Sequence, residues 1–315
     1  MSAPRPLSRQ LGRPINRRLV LESALAGAAV GVPAWLAFGT TANAGVESGI
    51  RGRGAVAPAA AAPGVVPSLD RSALTAALDA HLAERGGTMG LVVHDLRTGG
   101  RFAWREFENE SLSTIKVLIL LACLKKVQDG GEPLTNERHS QARRMIQASD
   151  NAATDALLEW VTTAKVQEAA GLLGLEATTV RGGGPAGSKT WWGYSRTTPG
   201  DLVSVVDAVV TGTPVIHAGH RAYIRHLMAG VVPDQRWGVA DPPLPRTAYT
   251  ETKNGWGPLP DGYRLNSIGR VLGNGRSHTM AILTRSPQGF RYGRETINGL
   301  SKIVYDALAQ PLPAE

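Results

Sequence analysis

The sequence predicts an α+β fold: one antiparallel sheet flanked by terminal helices, with an all-helical lobe inserted between its strands. Three observations carry that reading. β-Rich stretches occur near both ends of the folded part, at 89–107 and 249–284. A long block of helical periodicity separates them. Stretches with one apolar helical face bound the strands on either side, at 70–85 and 295–308. Strands distant in sequence that share a sheet across a helical insertion leave a cleft between two layers, and ligand sites form in such clefts.

Residues 1–44 read as an export signal. Arg5, Arg9, Arg13, Arg17 and Arg18 make a basic start, 24–38 is uncharged, and Ala42-Asn43-Ala44 is a small-residue cleavage site. Arg17-Arg18 ahead of Leu19, Val20 and Leu21 resembles a twin-arginine signal. The apolar run is short for a span and contains Pro33. The expectation is a secreted, extracytoplasmic protein without a stable membrane span once the signal is cleaved; an uncleaved anchor is the alternative. Residues 45–67, rich in Ala, Gly and Pro, form a linker that cannot bury a core. Residues 68–315 suffice for one large catalytic domain.

Composition narrows the function classes. The signal's five arginines face one acid, Glu22, so it holds about half of the formal +8. The chain beyond residue 53 has no basic run interleaved with aromatics, which argues against nucleic acid. Cys123 is the single cysteine, so no intramolecular disulfide forms; it lies in an apolar run and reads as a small buried hydrophobe. No cofactor and no metal are expected. The chain is expected to act as a monomer.

Each element has its local signal. Leu74, Leu78 and Leu82 recur four apart in 70–85, opened by Ser68 or Asp70 as cap. Residues 89–96 and 101–107 pair as a hairpin through Thr98-Gly99-Gly100. The stretch 113–124 is apolar on every side after Lys116, the mark of a buried central helix. Helices cover 137–160 and 165–175. Residues 181–196 are Gly-rich and irregular. Thr198-Pro199 opens a helix through Val210, and another covers 215–230. Residues 249–253 form a strand, 265–272 and 278–284 a hairpin through Gly273-Asn274-Gly275, and 295–308 a closing helix.

The central helix carries the first sign of chemistry. Ser113 and Lys116 sit three apart at its start, on one face. A serine needs a base beside it to become a nucleophile, and burial or a second cation lowers a lysine's pKa enough for it to serve. Ser-x-x-Lys alone is weak, since a capping serine ahead of a solvated lysine is common. Two further clusters strengthen it. Ser149-Asp150-Asn151 sits between helical stretches and is far more specific. Lys253-Asn254-Gly255 ends a strand, with a glycine that permits close approach to the backbone.

In this order the three motifs resemble those of the penicillin-recognising serine hydrolases, most closely the class A β-lactamases, and the resemblance extends over 68–315 in element order. It implies a β-lactamase/transpeptidase-like fold with the active site between the sheet and the helical lobe. It implies Ser113 as nucleophile, Lys116 as its lysine, and Ser149 as the hydroxyl relaying a proton to the leaving nitrogen. Asn151 would bind the substrate carbonyl, and Lys253, Asn254 and Gly255 would hold the substrate carboxylate. The backbone N–H groups of Ser113 and Trp256 would form the oxyanion hole. The implied partner is a small-molecule β-lactam or a peptidoglycan stem peptide. Lys253 is also expected to help depress the pKa of Lys116.

Three departures matter. Asn254 replaces the family's Thr or Ser. The Ser113–Ser149 spacing is short, which implies a more open cleft. The loop 181–196, where the family carries its deacylating Glu, contains no Asp or Glu; Glu176 is the nearest acid upstream. Slow deacylation is therefore expected. A D-alanyl-D-alanine peptidase built from the same parts and a non-catalytic cell-wall binder are the rival readings.

Other features carry less. Gly187-Ser188-Lys189-Thr190 misses phosphate-loop spacing by one residue. His217, His220 and His226 lack an acid or Cys partner at ligand spacing. Trp191, Trp192 and Tyr194 face the expected cleft, with packing as the default role and a substrate wall as the alternative.

Overall fold

The computed structural model describes residues 68–182, 191–241, 244–245, 247–286 and 288–314. The expected signal at 1–44, the linker at 45–67 and Gly187-Ser188-Lys189-Thr190 lie outside the described residues.

Helix α1 spans Arg71–Ala83. Asp70 caps it, its carboxylate accepting from the backbone N–H of Ser72 at 2.8 Å and Ala73 at 3.1 Å, which satisfies two otherwise orphaned donors. Strands β1 (Thr88–Asp95) and β2 (Arg101–Trp104) form the expected hairpin. Strands β5 (Tyr249–Leu259), β6 (Gly262–Gly273) and β7 (Arg276–Ser286) come from the far end of the chain. All five make one antiparallel sheet in the order β2-β1-β7-β6-β5. The fold class is as the sequence predicts. β5 lies at the sheet's edge and runs past the expected end at Lys253, paired with β6 as far as Leu259↔Gly262.

One face of the sheet packs on α1 and the closing helix α8, Phe290–Ala307. Leu74, Leu78, Leu91, Leu265, Ile282, Ile297, Leu300 and Val304 fill that layer. The other face meets the helical block. There α2 (Lys116–Gln128) is buried from Lys116 to Leu124 on every side, enclosed by residues such as Ile146, Leu157, Val166, Val206, Ile224 and Ile268. Cys123 is part of this core, and burial pushes its thiol up to about 12, so it is inert.

The helical block is more divided than its periodicity suggests. The expected helix at 137–160 is two, α3 (Asn136–Gln147) and α4 (Asn151–Val161), parted at Ser149, whose φ is +58°. Beyond them come α5 (Thr163–Leu172), α6 (Pro199–Val210) and α7 (Ala218–Ala229). Two strands of two residues, β3 (Asn109–Glu110) and β4 (Arg196–Thr197), pair just ahead of the nucleophile turn. Among the described residues no helix is long and apolar enough to cross a membrane.

Candidate active site

Ser113 is not the first residue of the central α-helix. It lies in a 3₁₀ turn, Leu112–Ile115, and Lys116 opens the α-helix proper. Leu112 adopts φ +47° to make the entry, a left-handed conformation that costs a branched residue energy and persists only where the surroundings over-determine it. Those surroundings are visible. Asn266, fully buried on β6, donates to the carbonyls of Glu110 at 2.7 Å and Ser111 at 3.2 Å. The Ser111 N–H donates to Ser195 O at 2.7 Å.

Strand β5 presses against this turn at Gly255. A Cβ there would lie 2.6 Å from the backbone nitrogen of Ser113 and 3.0 Å from that of Thr114. The sequence predicts a glycine that admits a ligand; the correction is that it admits the nucleophile's own backbone. The segments carrying the Ser113 and Trp256 N–H groups are thereby in contact.

The Ser149 turn supplies the opposite wall. Its left-handed backbone directs both carbonyl and hydroxyl at Lys116, whose Nζ donates to Ser149 O at 2.7 Å, Ser149 Oγ at 3.1 Å and Asn151 Oδ1 at 3.0 Å. Lys253 Nζ donates to the same Ser149 Oγ at 2.9 Å and to Asn254 O at 2.9 Å. Asp150 caps α4 through a 3.0 Å bond from Ala153 N. Ser113, Lys116, Ser149, Asn151, Lys253 and Gly255 thus gather at one place, as the three motifs predict. The resting contacts are distributed differently from the expectation, however. Among the described residues Lys116 makes no hydrogen bond to Ser113; all three of its donors face the Ser149–Asn151 turn.

Charge is governed by burial. Both lysines are fully buried. Burial brings Lys116 down to about 7, against the opposing pull of Asp150 and Asp155. Burial, and then the charge of Lys116, hold Lys253 well below its ordinary value. Two cations this close each disfavour the other's charge, so the influence expected of Lys253 on Lys116 runs in both directions.

Asn254 also differs from expectation. It is fully buried, and both its N–H bonds are spent on the carbonyls of Gln235 at 2.8 Å and Trp237 at 3.0 Å, so it has no donor left for a substrate carboxylate. Asn151 is the reverse case: its Oδ1 accepts from Lys116 while its exposed amide N–H₂ stays available. Glu176 is exposed and acts on Asp201, away from the lysines.

The loop 191–196 contributes a residue whose role the sequence leaves undecided. Trp192 is buried, its ring centroid 4.6 Å from Lys116 Nζ. Its indole N–H donates to Asp155 Oδ1 at 2.8 Å. Asp155 lies one helical turn beyond Asn151, and that i,i+4 spacing is the available signal. Trp191 and Tyr194 pack with ring centroids 5.3 Å apart, leaving Tyr194 exposed.

A profile of the β-lactamase enzyme family matches residues 73–142 and 139–308, nearly the whole described unit. The chain belongs to the β-lactamase enzyme family. It is a class A β-lactamase-like serine hydrolase, as the motifs suggest. Solved structures agree in fold. A class A β-lactamase from Bacteroides cellulosilyticus is 20% identical, with a TM-score of 0.65 over 76% of this chain and 98% of that one. The TLA-1 extended-spectrum β-lactamase is 19% identical, with a TM-score of 0.67 over 76% and 99%. A β-lactamase from Sphaerobacter thermophilus is 18% identical, with a TM-score of 0.63 over 76% and 98%. No curated protein matches the chain. In this β-lactamase-family member the two lysines converge on the Ser149 hydroxyl, and β5 joins that cluster to the Ser113 turn.

Proposed function

We propose that this protein is an exported serine hydrolase whose Ser113 is acylated by β-lactams through opening of the lactam amide, and whose acyl-enzyme is released slowly. The observation that carries the reading is the meeting of Lys116 and Lys253 at the Ser149 hydroxyl, directly behind the turn that Gly255 holds in place.

Each chemical need has a group. Lys116, once it gives up a proton, takes the proton of Ser113 Oγ as that oxygen bonds to the lactam carbonyl carbon. The N–H groups of Ser113 and Trp256 receive the developing oxyanion. Ser149 Oγ, within hydrogen-bond reach of both amines, passes a proton to the lactam nitrogen as the C–N bond breaks and is reprotonated from the lysines. A substrate carboxylate near Lys253 favours that amine's charged form, which lowers the affinity of Lys116 for its own proton. Asn151 Nδ2 offers a donor to the substrate's side-chain carbonyl.

Release needs a base that holds water against the acyl carbon. The loop 181–196 has no carboxylate, and the Trp192 ring stands over Lys116. A positioned base contributes about 10² to 10⁴ in rate. Stopped-flow hydrolysis of nitrocefin tests this: a burst equal to the enzyme concentration and then slow turnover is expected. Fast linear turnover without a burst contradicts slow release. A burst with liberation of D-alanine from a stem peptide assigns the site to a peptidase instead.

A further inference from the structure

The Trp192–Asp155 pair lies against the one amine the proposed chemistry must deprotonate. The indole face stands 4.6 Å from Lys116 Nζ, and its N–H is fixed by Asp155 at 2.8 Å. The loop carrying Trp192 is itself anchored. Ser195, three residues on, accepts from the Ser111 N–H at 2.7 Å, and β3 pairs with β4 immediately beyond. Trp192 is therefore not free to swing away from Lys116. On the other side the three Lys116 donors are fully occupied by Ser149 and Asn151. An ammonium with three acceptors and an aromatic face above it is a well-satisfied cation; a neutral amine in that setting would waste at least one of those contacts.

Resting on the serine-hydrolase reading above, we propose that Trp192 and Asp155 are positioning residues for Lys116: they hold its amine as a cation bonded to the Ser149–Asn151 turn, and so set the pH at which Ser113 can be acylated. The charged groups facing Lys116 are Asp150 and Asp155 from α4 and Lys253 from β5. Asp150 is shared with Arg144 at 3.7 Å and with its own helix cap. Asp155 is bound to the indole and adds its charge to the same side of Lys116. Both carboxylates favour the cation; Lys253 and burial oppose it.

The test is the pre-steady-state rate of Ser113 acylation by nitrocefin between about pH 5 and 9, the range that brackets the titration of Lys116. In the native protein the rate rises with pH through a midpoint near 7, as Lys116 loses its proton. Asp155→Asn keeps an acceptor for the indole and removes the charge. Its midpoint should fall by about one unit, so acylation at about pH 6 becomes faster than in the native protein by up to about tenfold. Trp192→Leu, made on top of Asp155→Asn, should lower the midpoint by about a further half unit, as the aromatic face is lost. Asp155→Ser removes the same charge with a smaller side chain, so a failure of the Asn variant to fold leaves the test standing. A purely structural role would lower the plateau at every pH and leave the midpoint in place; that result overturns the proposal. No acylation of the native protein at any pH overturns the proposed function itself, whereas an unshifted midpoint with acylation intact overturns this proposal alone.

Discussion

Lys116 and Lys253 meet at a single oxygen, their Nζ atoms 3.1 Å and 2.9 Å from Ser149 Oγ. Two amines sharing one hydroxyl in a buried site cannot both carry charge cheaply, so their titrations are coupled. Each depressed lysine is a stability cost accepted for chemistry.

Lys253→Met should therefore stabilise the fold while impairing acylation. Lys253 is depressed by burial in the native state. The unfolded chain binds its proton up to the ordinary lysine range, so native stability rises with pH between the folded and unfolded values. The variant's advantage is present at neutral pH, shrinks as pH rises and should vanish toward about pH 10, the ordinary lysine range. Allowing for the bond lost by Asn254 O, a gain of about 1 to 2 kcal/mol at neutral pH is expected. Thermal melts at neutral pH and in the ordinary lysine range measure it; a variant less stable at both would contradict the assignment of Lys253 as a costly buried amine.

Gly255→Ala places a methyl 2.6 Å from the Ser113 nitrogen. Either β5 or the nucleophile turn must move. Stability should fall by about 1 to 3 kcal/mol and the acylation rate by about 10²-fold, because a displacement of about 1 Å ruins attack geometry. Paired melts and burst kinetics decide it; native-like acylation would show that the contact is not a constraint.

Asn266→Ala removes the donor to Glu110 O and Ser111 O. Two buried carbonyls lose a partner, at a cost of about 1 to 3 kcal/mol, and the left-handed entry at Leu112 loses support. Urea melts should register the first effect and slower acylation the second. A stability loss with an unchanged acylation rate would place Asn266 outside the support of the turn.

Export should leave a mature chain beginning at Gly45, because Ala42-Asn43-Ala44 closes a basic and apolar leader. N-terminal sequencing of secreted material checks this; a mature chain that retains Arg17 and Arg18 would contradict cleavage.

Much of the fold is legible in the sequence because its signals are local and strong. The apolar run at Val117–Leu124 has no face for solvent, so burial is the one outcome available to it. Ser149-Asp150-Asn151 and Lys253-Asn254-Gly255 are readable because few sequences combine those residues. The break between α3 and α4 is blurred because helical periodicity continues across it, and Ser149 enters its φ of +58° under tertiary constraint. β3 and β4, two residues each, are too short for any alternation to register. Asn254 departs from its expected role for a similar reason: sequence gives a residue's chemistry but not which carbonyls face it, and Gln235 and Trp237 arrive from a separate segment. Trp192 and Lys116 touch from distant stretches of the chain, and nothing in either neighbourhood announces it.

The proposed function stands on Ser113 as the residue a β-lactam acylates and on Lys116 as the group that makes it reactive. Intact-mass analysis after incubation with benzylpenicillin, with peptide mapping of the product, tests both most directly. One adduct of the penicillin's mass on the peptide containing Ser113 is expected, absent in Ser113→Ala and lost or slowed at least about 10²-fold in Lys116→Ala. No adduct with any of several penicillins or cephalosporins, or one that persists in Ser113→Ala, would contradict the account.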